Sequence, residues 1–386
     1  MLCVKMCKPS QGGVVNVGKR AWKTGLISLA CASVLTACGA GAGPAGQPGS
    51  GGAGSSSSSL GTVTLYTSDG LEDYYKAVIP EFEKKYGAKV QMVADGSGAV
   101  VNRLKVEKDN PKADVVVTMP PFIQAAQKDG LLEAYASPES AAIPVDQKDS
   151  AGHWYTFINN YVNFVYNPRL TSSPPSTFQD LLQPTYKDKI AYSNPISAGD
   201  GMAVIILLEK LWGEDQAFSY LKQLEQNVKF HTKGTGYLDV LINRGEIAVA
   251  NGDLQMDMAD KTVGGLSLSP LFLKPSQDAK PVTFADPYVI GLVKNAPNSR
   301  GGKALIDFLL SKEAQAHTYD IYGIPARSDV SPSGDKATAV KQALNGVQIV
   351  TIDWNHVLDN QKKWQDRWQS EVLGAYGKQG SVTAPQ

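Results

Sequence analysis

The sequence predicts an α/β fold of two lobes, each a mixed, mostly parallel sheet flanked by helices, with two crossing strands as the hinge. Three observations support this prediction. From residue 61 onward, short β-branched runs alternate with longer amphipathic runs, a pattern typical of parallel sheets covered by helices. A second alternating series starts near residue 189. Apolar stretches at 155–166 and 288–294 border that second series, and two such crossings between lobes would form a hinge.

The first series supplies the sheet and helices of lobe 1. A β-branched run predicts a strand over 63–67, and the apolar residues of 71–86 recur at helical spacing, with a kink at Pro80. Two further strand–helix pairs follow along the chain. They cover 89–93 with 99–108, and 114–118 with 122–128.

The second series supplies lobe 2, and the chain then returns to lobe 1. The C-terminal third is predicted to be helical, and its residues Trp354, Trp364 and Trp368 are interpreted as core or lobe packing. We divide the folded chain into lobe 1 (61–161), lobe 2 (162–287) and a return to lobe 1 with C-terminal helices and tail (288–386). The predicted elements are strands over 189–193, 228–231 and 247–250, and helices over 202–211, 215–226, 237–244, 303–320 and 354–372.

The first 38 residues have the layout of a secretory leader. They carry five basic residues and no acid, and a 12-residue apolar stretch over 25–36 follows the charges. A helix needs about 20 residues to span the hydrocarbon core, so this stretch predicts a signal peptide. Residues 35–39, LTACG, resemble a bacterial lipobox, so we predict a leader over 1–37 and lipidation of Cys38. The alternative is a chance cysteine after an ordinary signal peptide.

The segment after the leader is defined by its composition. No cysteine lies beyond Cys38, so the folded part has none for a disulfide or a thiolate metal site. Residues 39–59 contain only Gly, Ala, Pro, Gln and Ser, which cannot build a core. We predict a lipidated cysteine and flexible tether over 38–60, which would anchor an extracytoplasmic protein to a bacterial membrane.

The charges argue against nucleic acid as a partner. The chain has 37 basic and 37 acidic residues, whereas nucleic-acid-binding surfaces show a basic excess. Removing the five leader charges leaves 32 basic residues against 37 acidic ones. An anionic ligand would therefore be held locally, by helix starts and hydroxyl groups rather than by bulk charge.

Four predicted strand ends share one composition, rich in Gly, Ser, Thr and Asp. The carboxyl ends of strands are where open α/β sheets bind ligands. Glycine allows close backbone approach, hydroxyls add donors, and a helix start attracts a small anion. The alternative is that these residues are plain N-caps and turns. The four junctions are 66–70, 95–99, 197–201 and 251–253.

Motifs for other chemistries are absent from the sequence. The histidines, His153, His231, His317 and His356, have no zinc-binding spacing. No nucleophile elbow occurs, no phosphate-binding loop with its final Ser or Thr, and no dinucleotide fingerprint after a predicted strand. We therefore expect neither a metal nor a cofactor, and nothing in the sequence demands catalysis.

Six runs carry a more specific signal: Asp69-Gly70-Leu71, NPKADVVVTMPPFIQAA (110–126), GEIAVANGDLQM (245–256), PYVIGLV (287–293), FLLSKEAQ (308–315) and ARSDV (326–330). Over most of 62–350 the chain resembles the substrate-binding proteins of bacterial ABC importers, and among them the 2-aminoethylphosphonate-binding proteins. The resemblance implies a periplasmic-binding-protein fold of type II, related to ferric-iron binders. It also implies a monomer that captures a small phosphonate between its lobes and delivers it to a permease, without catalysis.

The resemblance further implies a zwitterionic ligand and assigns roles to the junctions. For the ammonium we expect Asp253 as first partner and Asp200 as second, while Asp253 is also interpretable as the N-cap of the helix that follows. Tyr288, at the second crossing, would close over the ligand. The phosphonate would be held by Ser97, Gly98, Ala99, Ser197 and Gly201, with Tyr66, Thr67 and Ser68 at the same cleft.

Three alternatives stay open from the sequence. The first is a ferric-iron ligand, which the sequence disfavours. Ferric-iron binders carry two adjacent tyrosines just after the strand equivalent to 247–250, where this chain reads Asn251-Gly252-Asp253-Leu254. The pair Tyr74-Tyr75 lies in the first predicted helix and is interpreted as packing. A phosphate ester or a polyamine-like ligand fits the same fold. The third alternative is an extracytoplasmic phosphonate-processing enzyme, which the missing nucleophile–base spacing disfavours.

Overall fold

The computed structural model of the chain describes residues 59–374. The predicted leader, Cys38, the tether up to residue 58 and the polar tail from residue 375 lie outside the described residues. Within 59–374, no helix is both long enough and apolar enough to cross a membrane. The described residues form two α/β sheets flanked by helices, which confirms the predicted fold class.

Fourteen strands and eleven α-helices lie within the described residues. The strands are β1 (Gly61–Ser68), β2 (Ala88–Asp95), β3 (Val115–Thr118), β4 (Leu132–Glu133), β5 (Tyr155–Asn159), β6 (Val162–Tyr166), β7 (Ile190–Ser193), β8 (Val228–Thr232), β9 (Val249–Asp253), β10 (Ser269–Leu271), β11 (Val282–Thr283), β12 (Tyr288–Val293), β13 (Ile324–Pro325) and β14 (Gln348–Ile349). The helices are α1 (Glu72–Tyr86), α2 (Ser97–Val106), α3 (Phe122–Lys128), α4 (Gly199–Trp212), α5 (Glu214–Leu224), α6 (Gly236–Arg244), α7 (Leu254–Thr262), α8 (Ser299–Leu310), α9 (Lys312–Ala316), α10 (Gly334–Ala343) and α11 (Trp354–Arg367).

Each lobe has its own mixed sheet. In lobe 1 the strand order is β13-β5-β12-β3-β1-β2, and β4 pairs with β12. There β1 runs parallel to β2 and β3, whereas β12 is antiparallel to β3 and β5. In lobe 2 the order is β10-β6-β9-β7-β8, with β7 parallel to β8 and β9, and β6 antiparallel to β9.

Burial and local sequence explain the layers of lobe 1. Every residue of β3 and β12 is buried, because α2 and α8 pack on this sheet. Helix α1 begins with Glu72 and Asp73 and ends with Lys84 and Lys85, the charge order that complements a helix dipole. Gly87 then adopts a φ of 58°, the left-handed conformation that commonly ends a helix.

Two chain segments cross side by side between the lobes. The first joins β5 to β6, and the second joins β11 to β12. They pair through a bridge between Tyr161 and Ala285. The N–H of Asp286 also donates to the carbonyl oxygen of Asn160 at 3.0 Å. The hinge is therefore a short antiparallel contact, and Asp286 belongs to it.

The C-terminal segment makes a third connection that the sequence analysis did not predict. Helix α10 packs on the 3-10 turn His317–Ile321 of lobe 1. Its Val340 joins Tyr322 of lobe 1 and Leu254 of lobe 2 in one apolar cluster. Strand β14 pairs with β11 beside the hinge. The segment therefore covers the hinge from outside.

The last helix packs on lobe 2, which confirms the packing role of its tryptophans. Trp364 and Trp368 are fully buried, and the indole N–H of Trp368 donates to the hydroxyl of Tyr192 at 2.7 Å. Trp354 packs edge-on against Phe284. A π-helix, Trp368–Leu373, continues α11.

The prediction of one continuous helix over 303–320 was wrong. The segment 303–320 contains most of α8, then α9 and most of a 3-10 turn, instead of one helix. The break is at Ser311, whose backbone is extended and whose hydroxyl accepts from the N–H of Ala314 as the N-cap of α9. The apolar spacing continues across this cap, so periodicity alone did not reveal it.

Candidate ligand-binding cleft

Two predicted junctions meet across the cleft, one from each lobe. The N–H groups of Gly98 and Ala99, at the start of α2 in lobe 1, donate to the carbonyl oxygen of Ser197 in lobe 2 at 3.0 and 3.3 Å. A Cβ atom added at Gly96 would lie 2.3 Å from that same oxygen, and one added at Gly98 would lie 2.3 Å from the carbonyl oxygen of Ile196. Glycine is therefore required here, since it lets the two backbones touch.

The start of α4 lies beside a group of hydroxyls from lobe 1. A Cβ atom added at Gly199 would lie 2.9 Å from Oγ of Ser97, and this Oγ is 3.0 Å from Oγ of Ser68. The N-cap residue Ala198 offers no side-chain acceptor to the helix. The first N–H groups of a helix have no acceptor within it, so this start can receive an anion.

Gly201 and Ser197 have structural contacts of their own. A Cβ atom at Gly201 would lie 2.2 Å from the carbonyl oxygen of Ser193, so α4 packs directly on the end of β7. The hydroxyl of Ser197 donates to the carbonyl oxygen of Lys233 at 2.6 Å. Beside them, the hydroxyl of Thr235 donates to Oγ of Ser193 at 3.1 Å, which adds two hydroxyls to this side of the cleft.

A cluster of buried carboxyl groups lies at the base of the cleft. Asp200, Asp253 and Asp286 are at most 5% exposed, and Tyr288 lies among them. The Tyr288 hydroxyl donates to Oδ2 of Asp253 at 2.7 Å, while Oδ1 of Asp253 accepts from the N–H of Met256 at 3.0 Å. Asp253 is therefore both the N-cap of α7 and a member of the cluster.

Several oxygens of this cluster have no partner within residues 59–374. They are both carboxyl oxygens of Asp286 and Oδ1 of Asp200. No Lys, Arg or His of the described residues forms an ion pair with Asp200, Asp253 or Asp286. Buried oxygens without donors are costly, so they mark a place where a ligand donor would be favourable.

Burial raises the pKa values of all three acids of the cluster. Burial raises the pKa of Asp286 well above its usual range, and the charge of Asp253 adds to that rise. Burial also raises the pKa of Asp200, with Asp253 and Asp286 as further causes. The pKa of Asp253 is raised by burial too, although the bond from Tyr288 opposes the rise. An ammonium group would stabilise the ionised forms of all three.

Asp69 joins the two lobes near this cluster. Its Oδ2 accepts from the N–H of Gly236, the first residue of α6 in lobe 2, at 3.1 Å. Burial raises the pKa of Asp69 to about 6, and the charges of Glu72 and Asp253 contribute to the rise. Sequence reasoning placed Asp69 in a junction but named neither Asp69 nor Asp286 as a site residue. An acid two residues before the second crossing strand was the available signal for Asp286.

Two of the predicted flanking residues use their hydroxyls within lobe 1. The hydroxyl of Tyr66 donates to Oε2 of Glu107 at 2.9 Å, and the guanidinium of Arg103 lies over its ring. Thr67 points to the other face of the sheet, where its Oγ1 is 2.9 Å from the Tyr75 hydroxyl. Of the three neighbours, Ser68 is the one whose side chain meets the start of α2.

The adjacent tyrosines of α1 serve the core of lobe 1. Tyr74 and Tyr75 are at most 1% exposed. The Tyr74 hydroxyl donates to the carbonyl oxygen of Ala314 at 3.2 Å, and that of Tyr75 contacts Thr67. Their hydroxyls are therefore used within the protein, as expected for packing residues.

Two α/β lobes that meet across a cleft and are joined by paired crossing segments define the class of two-lobed solute-binding proteins. The chain belongs to the family described as bacterial extracellular solute-binding protein, which matches residues 110–360. Proteins of this family act outside the cytoplasm, so the chain is an extracytoplasmic binding protein for a small solute.

Similar proteins place the chain more closely. A candidate 2-aminoethylphosphonate-binding periplasmic protein of Salmonella typhimurium strain LT2 is 40% identical over 315 residues, which is 79% of this chain and 91% of the relative. The solved structure of the periplasmic binding protein AfuA from Actinobacillus pleuropneumoniae, with exogenous fructose-6-phosphate bound, has a TM-score of 0.71 and 25% identity, over 81% of this chain and 98% of that chain. The apo ferric ion-binding protein A of Pasteurella haemolytica, with a TM-score of 0.64 and 19% identity over 81% and 97% of the two chains, shares the fold.

Proposed function

We propose that the protein captures 2-aminoethylphosphonate in the interlobe cleft and delivers it to the permease of an ABC importer. One observation carries the proposal: the cleft has two chemically opposite ends. One end is an uncapped helix start with hydroxyls, and the other is a group of buried carboxyls without a base. A ligand with a phosphonate and an ammonium group matches both ends. The name of the Salmonella relative supports the same ligand.

The phosphonate would lie at the start of α4. The N–H groups of Gly199, Asp200 and Gly201 would donate to its oxygens, together with the hydroxyls of Ser68 and Ser97. A helix start carries about half a positive charge, which suits an anion in a site without Lys or Arg. The N–H groups of Gly98 and Ala99 would join only if their bonds to Ser197 open.

The ammonium would lie among Asp200, Asp253 and Asp286. An ammonium group has three N–H donors, and the cluster offers it the unpartnered oxygens of Asp200 and Asp286. Charge-assisted hydrogen bonds of this kind are about twice as strong as neutral ones. Tyr288 would hold Asp253 in place through its 2.7 Å hydrogen bond.

Binding without turnover is the activity that we propose. The serines of the cleft contact other hydroxyls, an amide or backbone carbonyls, and none of them contacts a histidine in the described residues. The buried His231 lies instead in the core of lobe 2, between Tyr192 and Trp368. Its Nε2 atom is 3.1 Å from Oε1 of Glu225. A nucleophile–base pair for phosphonate cleavage is therefore not assembled among residues 59–374.

A phosphate ester is the second candidate, because AfuA was solved with fructose-6-phosphate. Sugar hydroxyls also donate to carboxylates, so the cluster does not by itself reject a sugar phosphate. The lack of a basic partner for these three buried acids among the described residues favours the ammonium, since a hydroxyl-bearing ligand brings no positive charge to them.

Calorimetric titration of the purified protein tests this function. We expect binding of 2-aminoethylphosphonate with a Kd in the micromolar range or tighter, about −8 kcal/mol, and no heat with phosphate, fructose-6-phosphate or ferric citrate. No binding of 2-aminoethylphosphonate at millimolar concentration would remove the assignment. Steady release of phosphate or aldehyde from the aminophosphonate would show an enzyme instead.

We also propose that Cys38 carries the lipid anchor and that the protein acts as a monomer. Several acyl chains hold a protein on a membrane firmly, because each buried CH₂ contributes about 0.8 kcal/mol. The Cys38→Ser variant should then leave the membrane fraction, and light scattering should give the mass of one chain. Retention of that variant on the membrane would reject the anchor.

A further inference from the structure

A second, strongly acidic cavity opens between the lobes next to the carboxyl cluster. Its volume is about 420 Å³, and both lobes contribute to its wall. Eleven residues line it, of which four are acids and none is Lys, Arg or His. The four acids are Asp69, Glu72, Asp73 and Asp260.

Little positive charge offsets these acids. Asp73 is paired with Lys76 at 2.6 Å, but Asp69, Glu72 and Asp260 form no ion pair within the described residues. Asp260 lies close enough to Asp73 and Glu72 for their charges to raise its pKa, after burial as the main cause. The cavity wall therefore carries an excess of negative charge.

A second observation also points to a donor in this cavity. Gln255 lines the wall and is 2% exposed, and its Oε1 has no hydrogen-bond partner in the described residues. The rest of the wall is apolar at Met256, Ala259 and Ile321. Oxygen acceptors beside apolar surface suit an alkylammonium group, whose methylene groups pack while its N–H groups donate.

Tyr288 lies between the carboxyl cluster and the cavity and contacts a residue of each. The Tyr288 hydroxyl bonds Asp253 of the cluster and lies 3.4 Å from the carbonyl oxygen of Asp69, which lines the cavity. It also lies 2.8 Å from the position of a Cβ atom at Gly70. A short alkyl arm on the ligand nitrogen would pass this point.

The space beside the ligand differs between its two proposed ends. At the phosphonate end, the backbones of Gly98 and Ser197 touch, and α4 packs directly on β7 at Gly201. The phosphonate end is thus fixed in size, whereas the ammonium end borders an open cavity.

We propose that the acidic cavity is a second cation subsite, which takes the charged end of an alkylammonium arm carried by the ligand's amine. The inference rests on the proposed function, and it extends the ligand class to polyamine-like aminophosphonates. Asp69, Glu72, Asp260 and the Gln255 oxygen accept from the terminal ammonium, while Met256 and Ala259 contact the arm.

A matched pair of ligands tests the subsite. N-(3-aminopropyl)-2-aminoethylphosphonate and N-butyl-2-aminoethylphosphonate have arms of equal length and differ only in the terminal charge. We expect the ammonium arm to bind at least tenfold more tightly by calorimetry. In a Glu72→Gln, Asp260→Asn double variant this ratio should fall below threefold. It should persist in Asp109→Asn, Asp335→Asn, which removes two exposed acids elsewhere.

The outcomes separate this inference from the proposed function. If 2-aminoethylphosphonate binds and the two arms bind equally, the subsite is rejected and the function stands. If 2-aminoethylphosphonate does not bind, the proposed function is rejected. Titration with 1,4-diaminobutane then tests whether the acidic cavity binds an alkylammonium group. Saturable diamine binding that the Glu72, Asp260 double variant loses would support the subsite, and no diamine binding would overturn it.

Discussion

The hydroxyl of Tyr288 lies 2.7 Å from Oδ2 of Asp253, and the two residues belong to different lobes. Tyr288 begins β12 in the sheet of lobe 1, whereas Asp253 ends β9 in the sheet of lobe 2. Both side chains are at most 1% exposed. The base of the cleft is therefore joined by a buried hydrogen bond, and this bond holds the carboxyl that we expect to meet the ligand's ammonium.

The two roles of Asp253 can be separated by substitution. Asn is nearly as good an N-cap as Asp, so Asp253→Asn should keep α7 capped while it removes the charge and places an N–H donor where Oδ2 accepts from Tyr288. We expect it to lose about 2–5 kcal/mol of binding free energy for 2-aminoethylphosphonate, with little change in melting temperature. Asp253→Ala should also lose about 0.5–2 kcal/mol of stability, because the cap is removed. An unchanged Kd in Asp253→Asn would make Asp253 a cap alone.

Ligand binding should release protons. Burial raises the pKa of Asp200, Asp253 and Asp286, so the empty cluster keeps its protons to a higher pH than ordinary carboxyl groups do. A bound ammonium favours the carboxylates, so affinity should rise as the pH increases from 5 to 8. Titrations in two buffers of different ionisation enthalpy should show release of about one proton, and Asp286→Asn should release fewer. Equal enthalpies in both buffers would mean that the cluster is already ionised when empty.

A separate buried acid, Asp257, should make stability fall as the pH rises from about 4 to about 8. Asp257 is fully buried beside Asn163, and burial raises its pKa to about 8, with the charge of Asp253 as a further cause. Because the folded state favours the neutral carboxyl, stability present below pH 4 is lost as the pH rises toward 8. Each unit of difference is about 1.4 kcal/mol.

Substitution of Asp257 isolates that effect. Asp257→Asn should melt at a higher temperature than the wild type at pH 9, and the gain should shrink toward pH 5. Asp335→Asn, an exposed aspartate on α10, serves as the control and should leave the pH dependence unchanged. A gain for Asp257→Asn that does not vary with pH would point to packing rather than ionisation.

An exposed ion pair between the lobes should have a small effect that depends on salt. Lys233 of lobe 2 lies 2.6 Å from Asp95 of lobe 1, and both are more than a third exposed. Such pairs contribute about 0–1 kcal/mol, so Lys233→Ala should weaken ligand binding by less than about fivefold. The loss should disappear in 1 M NaCl. Lys105→Ala removes a similar pair, with Asp129, inside lobe 1 and should not change the Kd.

The two sheets were predictable because their signals are local. Alternating runs indicated both sheets, and the junction at 197–201 does start a helix, α4, at Gly199. The carboxyl cluster was only half predictable, because Asp286 reaches Asp253 through the hinge pairing, which no local pattern encodes. Helix α10 was missed for a related reason: its buried residues are Ala337 and Val340, too few for a clear helical period.

The N–H groups of Gly98 and Ala99 bring the main chains of the two lobes into direct contact at Ser197. Such a contact does not depend on the chemistry of any side chain. If a ligand leaves these bonds in place, ligands of different structure would give the protein the same outer shape. A permease that reads this shape would then recognise the position of the lobes rather than the ligand between them.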